Sequence, residues 1–237
     1  MGTINLLYQR EYAVNKNISV MIPTIGEILD QEDQYYTMVS MLTAVPYDMM
    51  VQLDDAGIDF TQITEYELFL LMFESLKKMD TKLLFGDLDL SAFRIAINEA
   101  SNAVVLINSD GVVIDRVVQN QIAATLRKIH HLEKNRRKPG NEDAKEYLLR
   151  REREKQKRRS KRKAVSQLES LVVALVNTEQ FKYDYEGVRK LTIYQFNESL
   201  HQILKKVEYD NRMYGVYAGT IKVSELSQDD LNWLTHK

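Results

Sequence analysis

The chain of 237 residues is 44% apolar and 28% charged, with three prolines and no cysteine. That balance excludes a disordered chain, a disulfide scaffold, thiolate metal sites and a cysteine nucleophile. The formal charge of −2 hides a strong polarity: residues 127–163 carry 17 basic and 6 acidic side chains, and the remaining 200 residues carry 15 and 28. The chain therefore reads as an acidic body (−13) with a basic insert (+11), a pattern informative about partners.

Residues 4–22 read as a β-hairpin, with Asn15-Lys16-Asn17 supplying the turn between two runs of strand formers. Pro23 has no N–H for a ladder and ends the second strand. Thr24-x-x-Glu27 is a capping-box pattern opening a helical stretch to about Ala44. Pro46 is placed to open another helix and Gly57 to close it. Thr64-x-x-Glu67 is a second capping box, and Phe69, Met72, Phe73 and Leu76 behind it share one helical face. The stretch from Phe85 to Phe93 is ambiguous, with a turn favoured at Gly86-Asp87. Ala103–Ile107 and Val112–Ile114, around Ser109-Asp110-Gly111, predict a second hairpin. Ile122, Leu126 and Ile129 mark the next helix.

Lys138-Pro139-Gly140-Asn141 is the clearest breaker. A long helix is expected from Asn141 or Glu142, and ten of the fourteen residues from Arg150 to Lys163 are Lys or Arg. This stretch has no large apolar side chain, so it is expected to project into solvent or to stay unordered until neutralised. Val165, Leu168, Val172 and Leu175 form a stripe that can pack. Thr192-x-x-Gln195 is a third capping box, opening a helix through Phe196, Leu200, Ile203, Leu204 and Val207. Ser227-x-x-Asp230 predicts a short terminal helix bearing Trp233. The expected fold is α+β and predominantly helical, with two short β-hairpins and a long basic helix leading to a C-terminal helical unit. The expected division is a mixed body over 1–135, a basic connector or arm over 136–163 and the helical unit over 164–237.

The run Arg150, Arg151, Arg153, Lys155, Lys157, Arg158, Arg159, Lys161, Arg162 and Lys163 can bind phosphates, an acidic protein or the acidic remainder of the chain. It has no interleaved aromatic to stack on single-stranded bases. Tyr214, Tyr217 and Trp233 add amphipathic surface for a partner. Met38, Met41, Met49, Met50, Met72, Met79 and Met213 are either adaptable contacts or core. Adjacent His130 and His131 diverge by about 100° on a helix and do not readily share a metal. Asp54, Asp55 and Asp59 around Gly57 lack the register of a calcium loop. An enzyme, the least favoured reading, would gather Asp87, Asp89, Asp110 or Asp115 around a cleft. Nucleotide-binding and hydrolase motifs are absent, so neither a cofactor nor a metal is expected.

Three stretches carry a likeness: Ile22-Pro23-Thr24-Ile25-Gly26-Glu27-Ile28-Leu29, Pro46-Tyr47-Asp48 through Gly57-Ile58-Asp59-Phe60, and Leu191-Thr192-Ile193-Tyr194-Gln195-Phe196 with Leu231-Asn232-Trp233. Together they resemble the tail assembly chaperones encoded in tail modules of phages of Gram-positive bacteria. The resemblance implies a non-catalytic protein of the host cytoplasm that binds tape-measure or tail-tube proteins while a long tail assembles. Self-association is compatible with that reading. The basic insert is not a motif of the family, and a nucleic-acid-binding protein using residues 150–163 is the alternative. No membrane partner is expected, because no apolar run reaches the ~18–20 residues of a bilayer span and no basic-then-apolar leader opens the chain.

Overall fold

The computed structural model describes residues 5–99, 101–160, 166–228 and 230–234. Ile4, Val165 and the basic residues Lys161, Arg162 and Lys163 lie outside them. The fold is α+β and predominantly helical with two small antiparallel sheets. Strands β1 (Glu11–Ala13) and β2 (Ser19–Met21) pair with Tyr12 opposite Val20. Their turn is held by Asn15, whose side-chain oxygen accepts from the amides of Asn17 and Ile18, each at 2.9 Å. Helix α1 (Ile25–Leu29) starts at the Thr24–Glu27 capping box, and α2 (Glu32–Thr43) follows after a break at Asp30-Gln31. Pro46 opens a 3-10 turn, Pro46–Met49, that runs into α3 (Met50–Asp55). Gly57, at φ +72°, then reverses the chain, and the Ile58 amide donates back to Leu53 at 2.8 Å.

The second capping box opens α4 (Glu65–Leu76) as expected. The ambiguous stretch begins at the end of α5 (Lys82–Phe85) and resolves into the positive-φ residue Gly86 and a 3-10 turn at Leu90–Ala92. The second sheet holds β3 (Arg94–Asn98), β4 (Ala103–Ile107) and β5 (Val113–Ile114) in that order. Strand β3 carries little sequence signal, because three of its five residues are Arg, Ala and Asn and it has little of a strand's composition. Helix α6 (Arg116–His130) is N-capped by Asp115 and ends on His131 in the left-handed region. It is followed by α7 (Glu142–Arg159), α8 (Gln167–Val176), α9 (Tyr185–Lys190) and α10 (Ile193–Tyr217).

The main core mixes Leu6, Ile18, Val20, Ile22, Phe73, Leu106 and Leu126 with Leu168, Val172, Phe181, Val188 and Phe196. Side chains far apart in sequence thus share one interior. Polar ties reinforce it. The Ile25 amide donates to Leu191 O at 2.9 Å and the Ile193 amide to Pro23 O at 2.8 Å, so the capping boxes of α1 and α10 sit side by side. Glu32, in the first turn of α2, accepts from the Ser166 hydroxyl and the Leu168 amide at the start of α8. A second, smaller core gathers Met50, Val51, Leu53, Phe60 and Leu68 with Leu149 of α7. Met38 and Met50 are buried, which removes them from the candidate contact surface.

The expected terminal helix at Ser227 is not formed among the described residues. Ser227 and Asp230 make the reciprocal cap bonds, but only turns follow. The peptide lies back on α10: Arg212 pairs with Asp230 at 2.6 Å, and Gln202 donates to Trp233 O at 3.1 Å. These contacts hold the tail without a helical register.

Candidate functional site

The basic run is helical as far as it is described: one face, through Leu149 and Arg153, docks on the body, and the rest of the run is largely exposed to solvent. Asn141 caps α7 by accepting the Ala144 amide at 2.8 Å. Glu142 and Asp143 occupy the first turn and Lys157, Arg158 and Arg159 the last, the polarity that suits a helix dipole. Lys145, Leu149 and Arg153 recur every four residues and form the face turned to the body. Leu149 inserts into the smaller core. Lys145 Nζ lies 2.9 Å from Asp59 and 3.0 Å from Glu142, and the Lys145 hydrogen bond with those from Thr61 lowers the Asp59 carboxyl to about 2. The Arg153 guanidinium spans Asp54 at 2.5 Å and Asp55 at 2.8 Å. The three carboxylates around Gly57 are thus counter-ions for the helix.

The segment leading to α7 is pinned as well. Lys134 contacts Glu65 at 2.5 Å, Asn135 donates to Asp48 at 3.0 Å, and the Arg137 amide donates to the Asn135 side chain at 3.2 Å. Between this segment and α7 lies a cleft of about 450 Å³ whose charged lining is Arg137, Arg151, Lys155 and Arg159 against Asp48 and Glu152. Lys155 is partnered by Glu152 at 3.2 Å. Arg137, Arg151 and Arg159 have no carboxylate partner among the described residues. On the opposite flank and crest of α7, Arg150 lies 5.8 Å from the Tyr147 ring, Lys157 is exposed, and Arg158 reaches Glu154 at 4.0 Å. Arg137 is not among the basic residues singled out from sequence, because only the fold brings its loop across from Arg151, Lys155 and Arg159.

Tyr214, Tyr217 and Trp233 belong to a different element. Tyr214 and Tyr217 are 73% and 83% exposed near the end of α10. Trp233 is half-buried, with Lys206 Nζ 5.6 Å from its ring, so it braces the tail on α10. Helix α10 fully buries only Ile193 and Phe196 and leaves Leu204 and Val207 in solvent.

Of the remaining chemistry-bearing residues, most are tied into turns, caps or neighbouring helices. Asp89 accepts from the Ser91 amide, Asp115 from the Val118 amide, Asp110 sits in the β4–β5 turn, and Asp87 is exposed. Among the described residues, no three His, Asp or Glu side chains group as metal ligands. The adjacent histidines diverge: His130 Nε2 lies 2.9 Å from the Tyr35 hydroxyl, whereas His131 Nε2 lies 3.3 Å from Glu198 of α10. Among the described residues no helix is long and apolar enough to cross a membrane.

A protein-family profile described as the YomV second domain matches residues 156–237, from within α7 through α8, α9 and α10 to the tail. No curated protein and no solved structure matches the chain.

Proposed function

We propose that the protein is a non-enzymatic phage tail assembly factor that binds tape-measure or tail-tube proteins in the host cytoplasm. The observation that carries this reading is α10. It is a 25-residue helix anchored at its start by Ile193 and Phe196, with Leu204, Val207, Tyr214 and Tyr217 turned to solvent beyond the anchor. An amphipathic helix fixed at one end offers an apolar stripe to a partner helix without requiring a deep pocket. Tyrosines suit that use, since each pairs a large apolar ring with a hydroxyl that tolerates water. The likeness of the Ile22–Leu29, Pro46–Phe60 and Leu191–Phe196 stretches to tail assembly chaperones supports the same reading.

The test is co-expression with the tape-measure and tube proteins of the same genome, followed by affinity capture. The expected result is a complex that the Leu204→Glu/Val207→Glu double variant loses while keeping its circular dichroism and melting temperature. No complex with wild-type protein overturns the reading, and so does full capture by the double variant.

A further inference from the structure

From the cleft between α7 and the Lys134–Gly140 segment, we infer a second activity: it grips the phosphate backbone of duplex nucleic acid. Arg151, Lys155 and Arg159 recur at every fourth residue along the flank of α7 that faces the segment. Helix rise makes this a row of cations spaced about 6 Å and extending about 12 Å. Arg137 stands across the cleft from that row. Three of the four cations are arginines, whose planar fork suits the bidentate geometry of phosphate oxygens.

The acids in the cleft are engaged. Asp48 accepts from Asn135 at 3.0 Å and from the Val45 amide at 3.1 Å, and Glu152 holds Lys155. An arriving phosphate therefore meets three exposed arginines without carboxylate partners among the described residues. Arg136 and Lys138, in the same segment, line the neighbouring cleft of about 520 Å³ and extend the positive field.

Two features favour duplex nucleic acid over an acidic peptide. The apolar residues of the cleft, Tyr47, Met50 and Leu148, are buried or half-buried at its floor and offer no exposed pocket for peptide anchor side chains. The rest of the chain carries a net −13, so a polyanion is attracted to the basic insert and disfavoured by the remainder taken as a whole. The single aromatic lining the cleft is Tyr47, packed edge-on against Phe60, so there is no stacking platform for unpaired bases.

The experiment is fluorescence anisotropy with a labelled duplex of about 20 base pairs at about 50 to 200 mM salt. Binding is expected at the low end, with a log–log salt slope of about −2 to −4 for two to four phosphate contacts. Arg151→Gln/Lys155→Gln/Arg159→Gln should weaken binding at least tenfold. Arg150→Gln/Lys157→Gln/Arg158→Gln removes the same charge from the opposite flank and crest, and should weaken it less than threefold. No binding at low salt overturns the inference. Equal losses in the two variants also overturn it, because they would reflect net charge without a site. Displacement of the duplex by an equal charge concentration of poly-glutamate overturns it in favour of an acidic protein ligand. These outcomes are independent of α10 and leave the assembly reading untouched.

Discussion

His130 has no carboxylate partner among the described residues. Its largely buried ring faces Tyr35 and Tyr36, and burial, with help from His131, pushes its pKa from 6.5 down to about 4. The unfolded chain takes up a proton near pH 6.5 that the folded chain refuses until about pH 4. Stability from this group is therefore complete above pH 6.5 and falls as pH drops through that window, by about 3 kcal/mol in all. His130→Gln keeps a hydrogen-bonding partner for the Tyr35 hydroxyl but cannot titrate. Urea unfolding at pH 7 and pH 5 should show a smaller acid loss in the variant than in the wild type. Parallel curves for the two proteins would mean that His130 is solvated and titrates normally. Glu27, Glu67 and Asp59 hold lowered carboxyl pKa values and weaken the fold only at lower pH. Comparison with the variant separates them from the histidine.

Among the elements, α7 poses a question of magnitude: which contact keeps a helix so rich in Arg and Lys on the body. Arg153 bridges two aspartates, but its side chain is 35% exposed and those of Asp54 and Asp55 are 42% and 62% exposed. Such pairs contribute about 0–1 kcal/mol and are screened by salt. Leu149 is 8% exposed among Met50, Val51, Leu53 and Phe60, and truncating a buried leucine costs about 2–5 kcal/mol. Leu149→Ala should therefore release α7, raising amide exchange across 142–159 several-fold, whereas Arg153→Ala should change it little and mainly in low salt. The reverse ranking would make docking electrostatic. The element also shows where sequence is legible. The three capping boxes, Thr24–Glu27, Thr64–Glu67 and Thr192–Gln195, are readable because their bonds close within four residues. The pairing of Arg153 with Asp54 and Asp55 closes over 99 and 98 residues, and no local pattern encodes it. The aspartates fail as a calcium loop and serve as counter-ions, a role visible only once α7 is laid against them.

At the scale of the molecule, the internal charge separation matters more than the total. With +11 over residues 127–163 and −13 elsewhere, Arg153 and Lys145 neutralise only part of the insert, and the Arg151–Arg159 flank still faces outward. The remainder of a second copy is net acidic, opposite in sign to that flank, and near the isoelectric point of about 6.1 net repulsion between copies is minimal. Sedimentation or light scattering at about 20 mM salt near pH 6 should therefore show reversible association. At about 200 mM salt, where screening acts within ~7 Å, the protein should return to its limiting mass. The Arg151→Gln/Lys155→Gln/Arg159→Gln variant should keep that limiting mass at both salts. A mass independent of salt would show the residual cations to be satisfied within one chain. If association is seen, a short duplex added at low salt should disperse it, since phosphates and acidic side chains would compete for one row of arginines and lysine. Failure to disperse would assign self-association to another surface, with the exposed stripe of α10 the next to test by Leu204→Glu/Val207→Glu.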